Sequence, residues 1–140
     1  MNWPLFAALS ALFASLTAIF GKIGVRDIDS NLAVAIRTTI IVVFAWGLVA
    51  LQPVKISLAS ISTRSWIFLV LSALATGLSW LSYYRALQLG PASRVAPIDK
   101  LSVALTVVLA FAILGEKPTF GAVAGGALIT AGVFVAAFVK

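Results

Sequence analysis

The sequence predicts an all-α integral membrane protein, a bundle of five transmembrane helices. Two observations carry this prediction: 62% of the 140 residues are hydrophobic, and only 10% are charged. A soluble domain has about 45–50% apolar and about 25% charged residues. Because four acidic and ten basic side chains cannot cover the surface of a domain of this size, its apolar faces must contact lipid.

The first three helices follow from the spacing of the charges. A helix needs about 20 mostly apolar residues to cross a hydrocarbon core of about 30 Å. The first helix, 3–21, and the third, 65–87, each contain a charge-free stretch of that length. The second, 31–51, makes a full crossing only if Arg37 lies within it. Asp29 is a plausible start signal before this second helix.

The fourth helix is the most constrained. The charge-free stretch 101–115 covers only about 22 Å at 1.5 Å per residue, so the crossing must begin near residue 92. The predicted helix, 92–115, therefore includes Asp99 and Lys100, and Pro97 is expected to loosen it. The fifth helix, 119–139, contains no charged residue, and the five helices make 1–140 one domain.

The basic residues divide unequally between the two membrane sides. Three lie on the side of the N-terminus, namely Lys55, Arg64 and Lys117. Four loop or terminal residues lie on the other side, Lys22, Arg26, Arg94 and Lys140, and Arg37, Arg85 and Lys100 raise that number to seven. We expect a protein of the cell (inner) membrane, and the positive-inside rule favours an orientation with the N-terminus outside and the C-terminus in the cytoplasm. Because the bias is weak, insertion in both orientations stays open.

The sequence offers little ordinary active-site chemistry. It contains neither histidine nor cysteine, which removes the usual zinc and haem ligands and the commonest proton carrier near neutral pH. We expect no cofactor, no metal and no catalytic site, and hence no enzyme. The basic residues stand singly between apolar runs, which argues against a nucleic-acid partner. No phosphate-binding loop is present, so ATP hydrolysis is not the expected energy source.

Four charged side chains are predicted within the helices: Arg37, Arg85, Asp99 and Lys100. A charge at the bilayer centre costs at least about 2.5–3.5 kcal/mol, so each needs a partner, a wet cavity or a route to the interface. Counted along the helices, all four lie roughly 6–12 Å from the same membrane face and could form one cluster. The alternatives are a structural salt bridge between helices and, for Lys100, a side chain that extends towards the headgroups.

Polar stripes follow the third and fourth helices. Asp99, Ser102 and Thr106 share one helical face. The stripe of the third helix comprises Ser72, Thr76, Ser79 and Tyr83, with Trp80 and Tyr84 beside them. Two such stripes could line a cavity in which Trp80, Tyr83 and Tyr84 form an apolar wall. Helix packing is the alternative for the hydroxyl groups, and an interfacial belt is the alternative for the tyrosines.

The fifth helix has small residues where another helix could approach. These are Gly121, Gly125, Gly126 and Gly132, of which the first two have GxxxG spacing. The pattern predicts close helix packing within the chain or against a second copy.

Three segments resemble a known family. They are Ala-Leu-Gln-Leu-Gly-Pro-Ala-Ser-Arg-Val-Ala-Pro-Ile from Ala86, Leu-Gly-Glu-Lys at 114–117, and Gly-Ala-Leu-Ile-Thr-Ala-Gly-Val from Gly126. In order and spacing they resemble the EamA-type unit of the drug/metabolite transporter superfamily. That unit usually occurs twice in a polypeptide, as inverted halves around a substrate cavity. This chain resembles the short, single-unit members, which implies that a second chain completes the cavity.

The resemblance implies a secondary transporter, by family analogy an exporter, of small polar metabolites. It would work by alternating access as a dimer in the lipid membrane. An antiparallel homodimer is favoured, and a parallel homodimer or a heterodimer with a second five-helix unit stays open. Asp99 is the expected coupling group, while Arg37 and Arg85 would bind a substrate carboxylate or keep Asp99 ionised. The alternative function is a non-transporting membrane subunit that stabilises or regulates a partner membrane protein.

Overall fold

The computed structural model describes residues 2–52 and 57–139, and the regular structure of this part is helical. The six helices are α1 (Trp3–Gly24), α2 (Ser30–Ala50), α3 (Thr63–Leu89), α4 (Ala92–Asp99), α5 (Leu101–Ile113) and α6 (Phe120–Phe138), with a 3₁₀ turn at Leu58–Ser60. Helices α4 and α5 together form one candidate span, so the described part contains five helical segments long and apolar enough to cross a membrane. The predicted fold class is confirmed. Pro53, Lys55 and Lys140 lie outside the described residues.

The first and fourth spans begin at the predicted residues, and the other limits differ from the prediction by one to three residues, most at the end of α1. We predicted that α1 ends at Gly21, before the first charge, but it continues to Gly24. The Nζ atom of Lys22 donates a hydrogen bond to the backbone oxygen of Leu87, so the charge has a polar partner in the last turn. A cation near a helix C-terminus also interacts favourably with the helix dipole. Asp29 caps α2 as its position indicates, accepting from the N–H groups of Asn31 and Leu32.

The fourth span is interrupted at Lys100, between α4 and α5. Pro97 lacks an N–H group and so cannot contribute its share of the hydrogen-bond ladder of α4. The Lys100 N–H donates to the backbone oxygen of Pro97 at 2.9 Å, which is the tighter i to i+3 spacing of a 3₁₀ turn. The predicted loosening after Pro97 therefore appears as a break next to Asp99.

The chain divides into two compact units. The terminal unit comprises Met1–Phe20 and Leu89–Lys140, and the central unit comprises Gly21–Gln88. In the terminal unit, α6 packs against both α4 and α5. Gly115, with a φ of +69°, ends α5 in the left-handed conformation that glycine adopts without a steric penalty.

The core of the central unit lies where the end of α3 meets the end of α1 and the loop that follows it. Val25 and Leu87 are fully buried there. The amide nitrogen of Gln88 donates to the backbone oxygens of Val25 at 3.1 Å and Ile28 at 2.7 Å. These bonds satisfy loop carbonyls and fix the loop against the end of α3.

The spans themselves bury little of their apolar surface within the chain. In each of the five, at most 11% of the residues in its most apolar stretch are buried. An added Cβ at Gly121, Gly125, Gly126 or Gly132 would meet nothing within 4 Å. Within the described part of the chain, the glycines of α6 are therefore available to an additional helix or to lipid.

We predict that Gly21→Val destabilises the protein by about 1–3 kcal/mol, the usual cost of overpacking. A Cβ at Gly21 would lie 3.1 Å from the Oη atom and 3.3 Å from the Cζ atom of Tyr84. The tyrosine is only 5% exposed and has little room to move. Thermal unfolding in detergent, followed by circular dichroism, measures the effect.

Gly24→Val is the matched control, because a Cβ at that position of the same helix meets nothing within 4 Å. Equal unfolding temperatures for the two variants would contradict a tight contact between Gly21 and Tyr84.

Candidate functional site

Arg37 lies well inside the second span, seven residues after α2 begins at Ser30. At 1.5 Å per residue this is a depth of about 10 Å along the helix. The Cζ atom of its guanidinium lies over the ring of Trp80, 3.3 Å from the ring centroid, and 5.5 Å from the ring centroid of Tyr84. The structure thus brings together one cation and two of the three predicted aromatic wall residues.

The aromatic rings have fixed positions. Tyr84 is buried, with its ring end against Gly21, and Tyr83 meets it edge to face at a centroid distance of 6.4 Å. Trp80 lies one turn before Tyr84 on the same helix and is half-buried. A cation over a Trp face gains about 0.5–1 kcal/mol when exposed and about 2 when desolvated. The rings therefore hold the guanidinium while leaving it charged.

The carboxylates of the central unit do not neutralise Arg37. Asp27 and Asp29 both precede α2, and the Oδ1 atom of Asp29 is engaged by the first N–H groups of that helix. Eight residues separate Asp29 from Arg37, about 12 Å along a helix. The guanidinium thus lies on an aromatic surface, away from both carboxylates of this unit.

A groove of about 440 Å³ runs between α2 and α3 in the same unit. Its lining is mainly apolar with a few polar groups, and consists of Asn31, Val34, Ala35, Thr38, Thr39, Val42, Val43, Gly77 and Leu81. Sequence reasoning missed this face of α2. Asn31, Thr38 and Val42 recur at intervals of seven and four residues, a helical spacing that could have revealed it. Gly77, one turn before Trp80, leaves open space on the α3 side.

Arg85 is held near the end of α3. Its guanidinium donates to the Oε1 atom of Gln88 at 3.0 Å. It lines a second cavity of the central unit together with Lys22 and Arg26, and Arg37 is not part of that lining. The structure thus places the two predicted substrate arginines in different surroundings.

Asp99 and Lys100 form an ion pair at the break between α4 and α5. The Nζ atom of Lys100 lies 3.2 Å from the Oδ2 atom of Asp99, and the two side chains are 52% and 36% exposed respectively. Because neighbouring residues on a helix point about 100° apart, only the long, flexible lysine stem lets the pair form. An ion pair this accessible is weak, so the carboxylate is available for exchange of partners.

The threonine hydroxyl groups of the polar stripes bond to their own helices. Thr106 donates to the backbone oxygen of Ser102 at 2.7 Å, and Thr76 donates to that of Ser72 at 2.9 Å. These bonds use the donor of each threonine but leave acceptor lone pairs. Ser102 and Thr106 are both exposed, so their stripe forms an accessible face after Asp99.

We predict a coupling free energy of about 0.5–2 kcal/mol between Arg37 and Trp80, in the range of a cation–π contact. A double-mutant cycle with Arg37→Gln and Trp80→Leu, read from chemical unfolding in mixed micelles, measures it. Arg64 and Phe68 form the control pair, because the Cζ atom of Arg64 lies 6.0 Å from the centroid of the Phe68 ring.

The control cycle, Arg64→Gln with Phe68→Leu, should give a smaller coupling. Additive effects of the Arg37 and Trp80 substitutions would mean that the contact contributes nothing to folding.

Comparisons with known proteins agree with this architecture. Residues 1–138 match the EamA-like transporter family. The chain is 46% identical over 136 residues to a Sinorhizobium sp. protein named "Uncharacterized transporter in cobO 3'region", an alignment that covers 97% of this chain and 96% of that protein. No solved structure matches the chain. With the family matched over almost the whole length and five apolar spans, the chain is a multi-pass membrane protein that belongs to the EamA-like transporter family.

Proposed function

We propose that the protein is a secondary transporter that exports small polar metabolites bearing an anionic group, by alternating access in a dimer. The observation that carries this proposal is the guanidinium of Arg37, held over Trp80 about 10 Å into a span. A cation–π contact of at most about 2 kcal/mol does not replace a counter-ion in a membrane. An anionic substrate group that binds Arg37 would supply that counter-ion.

We place the body of the substrate in the groove between α2 and α3, whose lining includes neither Arg37 nor the three aromatic residues. Trp80, Tyr83 and Tyr84 provide rigid apolar surface, and the groove adds Thr38 and Asn31 as neutral polar groups. Binding pockets commonly combine apolar walls with a few polar groups that orient the ligand. Our sequence prediction assigned Arg85 to the same carboxylate. In this proposal Arg37 has that role, because Arg85 lines the other cavity.

Asp99 is the proposed proton- or cation-coupling group. It lies next to the 3₁₀ turn at Lys100, where the regular hydrogen-bond ladder of the fourth span is interrupted. Its ion pair with Lys100 is accessible and easily exchanged. Protonation of Asp99 would free Lys100, and the exposed hydroxyl groups of Ser102 and Thr106 continue the polar path along α5.

The proposed dimer is an antiparallel pair of identical chains in the cell membrane. The open glycine positions of α6 and the scarcely buried spans support association with further helices. Small residues allow backbones to approach closely, which is the main source of helix association in lipid. The weak bias in basic residues permits both orientations, and the N-terminus-outside orientation is the favoured one.

We predict that the purified chain, reconstituted alone in vesicles, releases radiolabelled carboxylate-bearing metabolites in response to a proton gradient. Asp99→Asn should abolish the proton dependence, since the amide cannot titrate. Arg37→Gln should raise the KM for anionic substrates at least about tenfold, the effect of losing one charge-assisted contact.

Asp27→Asn and Arg64→Gln are the matched controls in this assay and should leave flux unchanged, because both residues lie outside the groove and the break in the fourth span. Normal proton dependence in Asp99→Asn would exclude its coupling role. A wild-type chain that is silent alone and co-purifies with another membrane protein would overturn the proposal in favour of a non-transporting subunit.

We predict that topology reporters fused separately to the two ends each give signal on both membrane sides. A fluorescent protein reports the cytoplasm, and alkaline phosphatase reports the outside. Asp27→Lys, which adds positive charge to the loop after α1, should shift the chains towards one orientation. A single fixed orientation of the wild-type chain would contradict the antiparallel homodimer.

A further inference from the structure

A basic cavity of about 470 Å³ lies where α1 and α3 end in the central unit. Its six lining residues are Lys22, Val25, Arg26, Arg85, Leu87 and Gln88. Three of these six carry a positive charge, and none is a carboxylate. It shares no lining residue with the groove of the second span, and Arg37 is not part of it.

The cavity is built from fixed parts. Its apolar floor is Val25 and Leu87, which are 1% and 0% exposed. Gln88 connects the end of α3 to the loop after α1, because its amide nitrogen donates to the backbone oxygen of Val25. Its Oε1 atom accepts a hydrogen bond from Arg85. The loop and the end of α3 therefore keep their spacing without a ligand.

The three cationic side chains are positioned by the same loop and helix ends. Arg85 is fixed by Gln88 at 3.0 Å, and Lys22 donates to the backbone oxygen of Leu87. Arg26 follows Val25 directly, so its backbone is positioned by the buried floor. Three like charges around one cavity repel each other, and an oxyanion that accepts hydrogen bonds from several of them relieves this repulsion.

The position of the cavity favours a phosphoryl oxyanion at the membrane surface. Both α1 and α3 are candidate spans, and the cavity lies at their C-terminal ends, near residues 24 and 89. Clustered basic residues directly beyond a membrane helix attract anionic headgroups. A phosphate diester offers two charged acceptor oxygens to guanidinium donors, which bind them in a bidentate manner.

We propose that this cavity binds the phosphoryl group of an anionic phospholipid headgroup. The exposed apolar side chains of α3 that precede the cavity provide a path for the acyl chains. A bound lipid would offset the repulsion among the three cations that line the cavity. This role is independent of transport, because it uses neither Arg37 nor Asp99.

Native mass spectrometry of the purified full chain tests the proposal. The protein is titrated in detergent with phosphatidylglycerol, with phosphatidylcholine and with inorganic phosphate. We expect phosphatidylglycerol to bind at least about tenfold more tightly than phosphatidylcholine, since the choline cation opposes the cavity. The double variant with Lys22→Gln and Arg26→Gln should reduce phosphatidylglycerol binding to the level of phosphatidylcholine.

Arg64→Gln removes a basic residue outside the cavity and should leave the lipid preference unchanged. Arg26→Lys retains the charge and should retain binding, which separates loss of the site from loss of folding. Equal phosphatidylglycerol binding by the wild type and the folded double variant would overturn the proposal. Displacement of phosphatidylglycerol by millimolar inorganic phosphate would support the phosphoryl site but overturn the lipid as its source.

Discussion

A guanidinium inside a membrane span must be compensated by its surroundings, because lipid tails offer neither water nor counter-ions. In the central unit the faces of Trp80 and Tyr84 compensate Arg37 in part. The position of Tyr84 depends in turn on Gly21, which leaves room for its ring end. A small residue on α1 thus determines where the aromatic surface lies, and the aromatic surface determines where the charge lies.

The remaining charges of the helices are accommodated in two other ways. Lys22 and Arg85 lie at helix ends, where backbone and amide oxygens accept their hydrogen bonds. Asp99 and Lys100 pair with each other at a helix break, where the polar backbone is already partly freed. These three solutions differ in strength. An aromatic face leaves a cation able to bind an anion, whereas an accessible ion pair exchanges its partner readily.

The spans also bury few of their apolar side chains within the chain. Few apolar side chains of the described residues are buried, among them Val25, Tyr84 and Leu87 in the central unit and Val133 and Ala137 on α6, and most others lie at the surface. In lipid such a surface costs nothing, and association depends on close packing by small residues. The open glycines of α6 suit that kind of contact, and the proposed dimer makes use of them.

The sequence by itself determined the number of spans, the helical class and the family, because these depend on hydrophobic length, charge spacing and local motifs. It also located Pro97 as the cause of a break and Arg37 as a charge needing compensation. Only the tertiary structure decided which side chains and backbone groups contact each charged residue. It set Arg37 on Trp80, placed Arg85 on a separate basic cavity and revealed the groove along α2. The physical reason is that periodicity gives only the face of a helix on which a residue lies. The residues that it contacts on other helices depend on how a few buried residues, such as Leu87 and Val25, fix one helix against another.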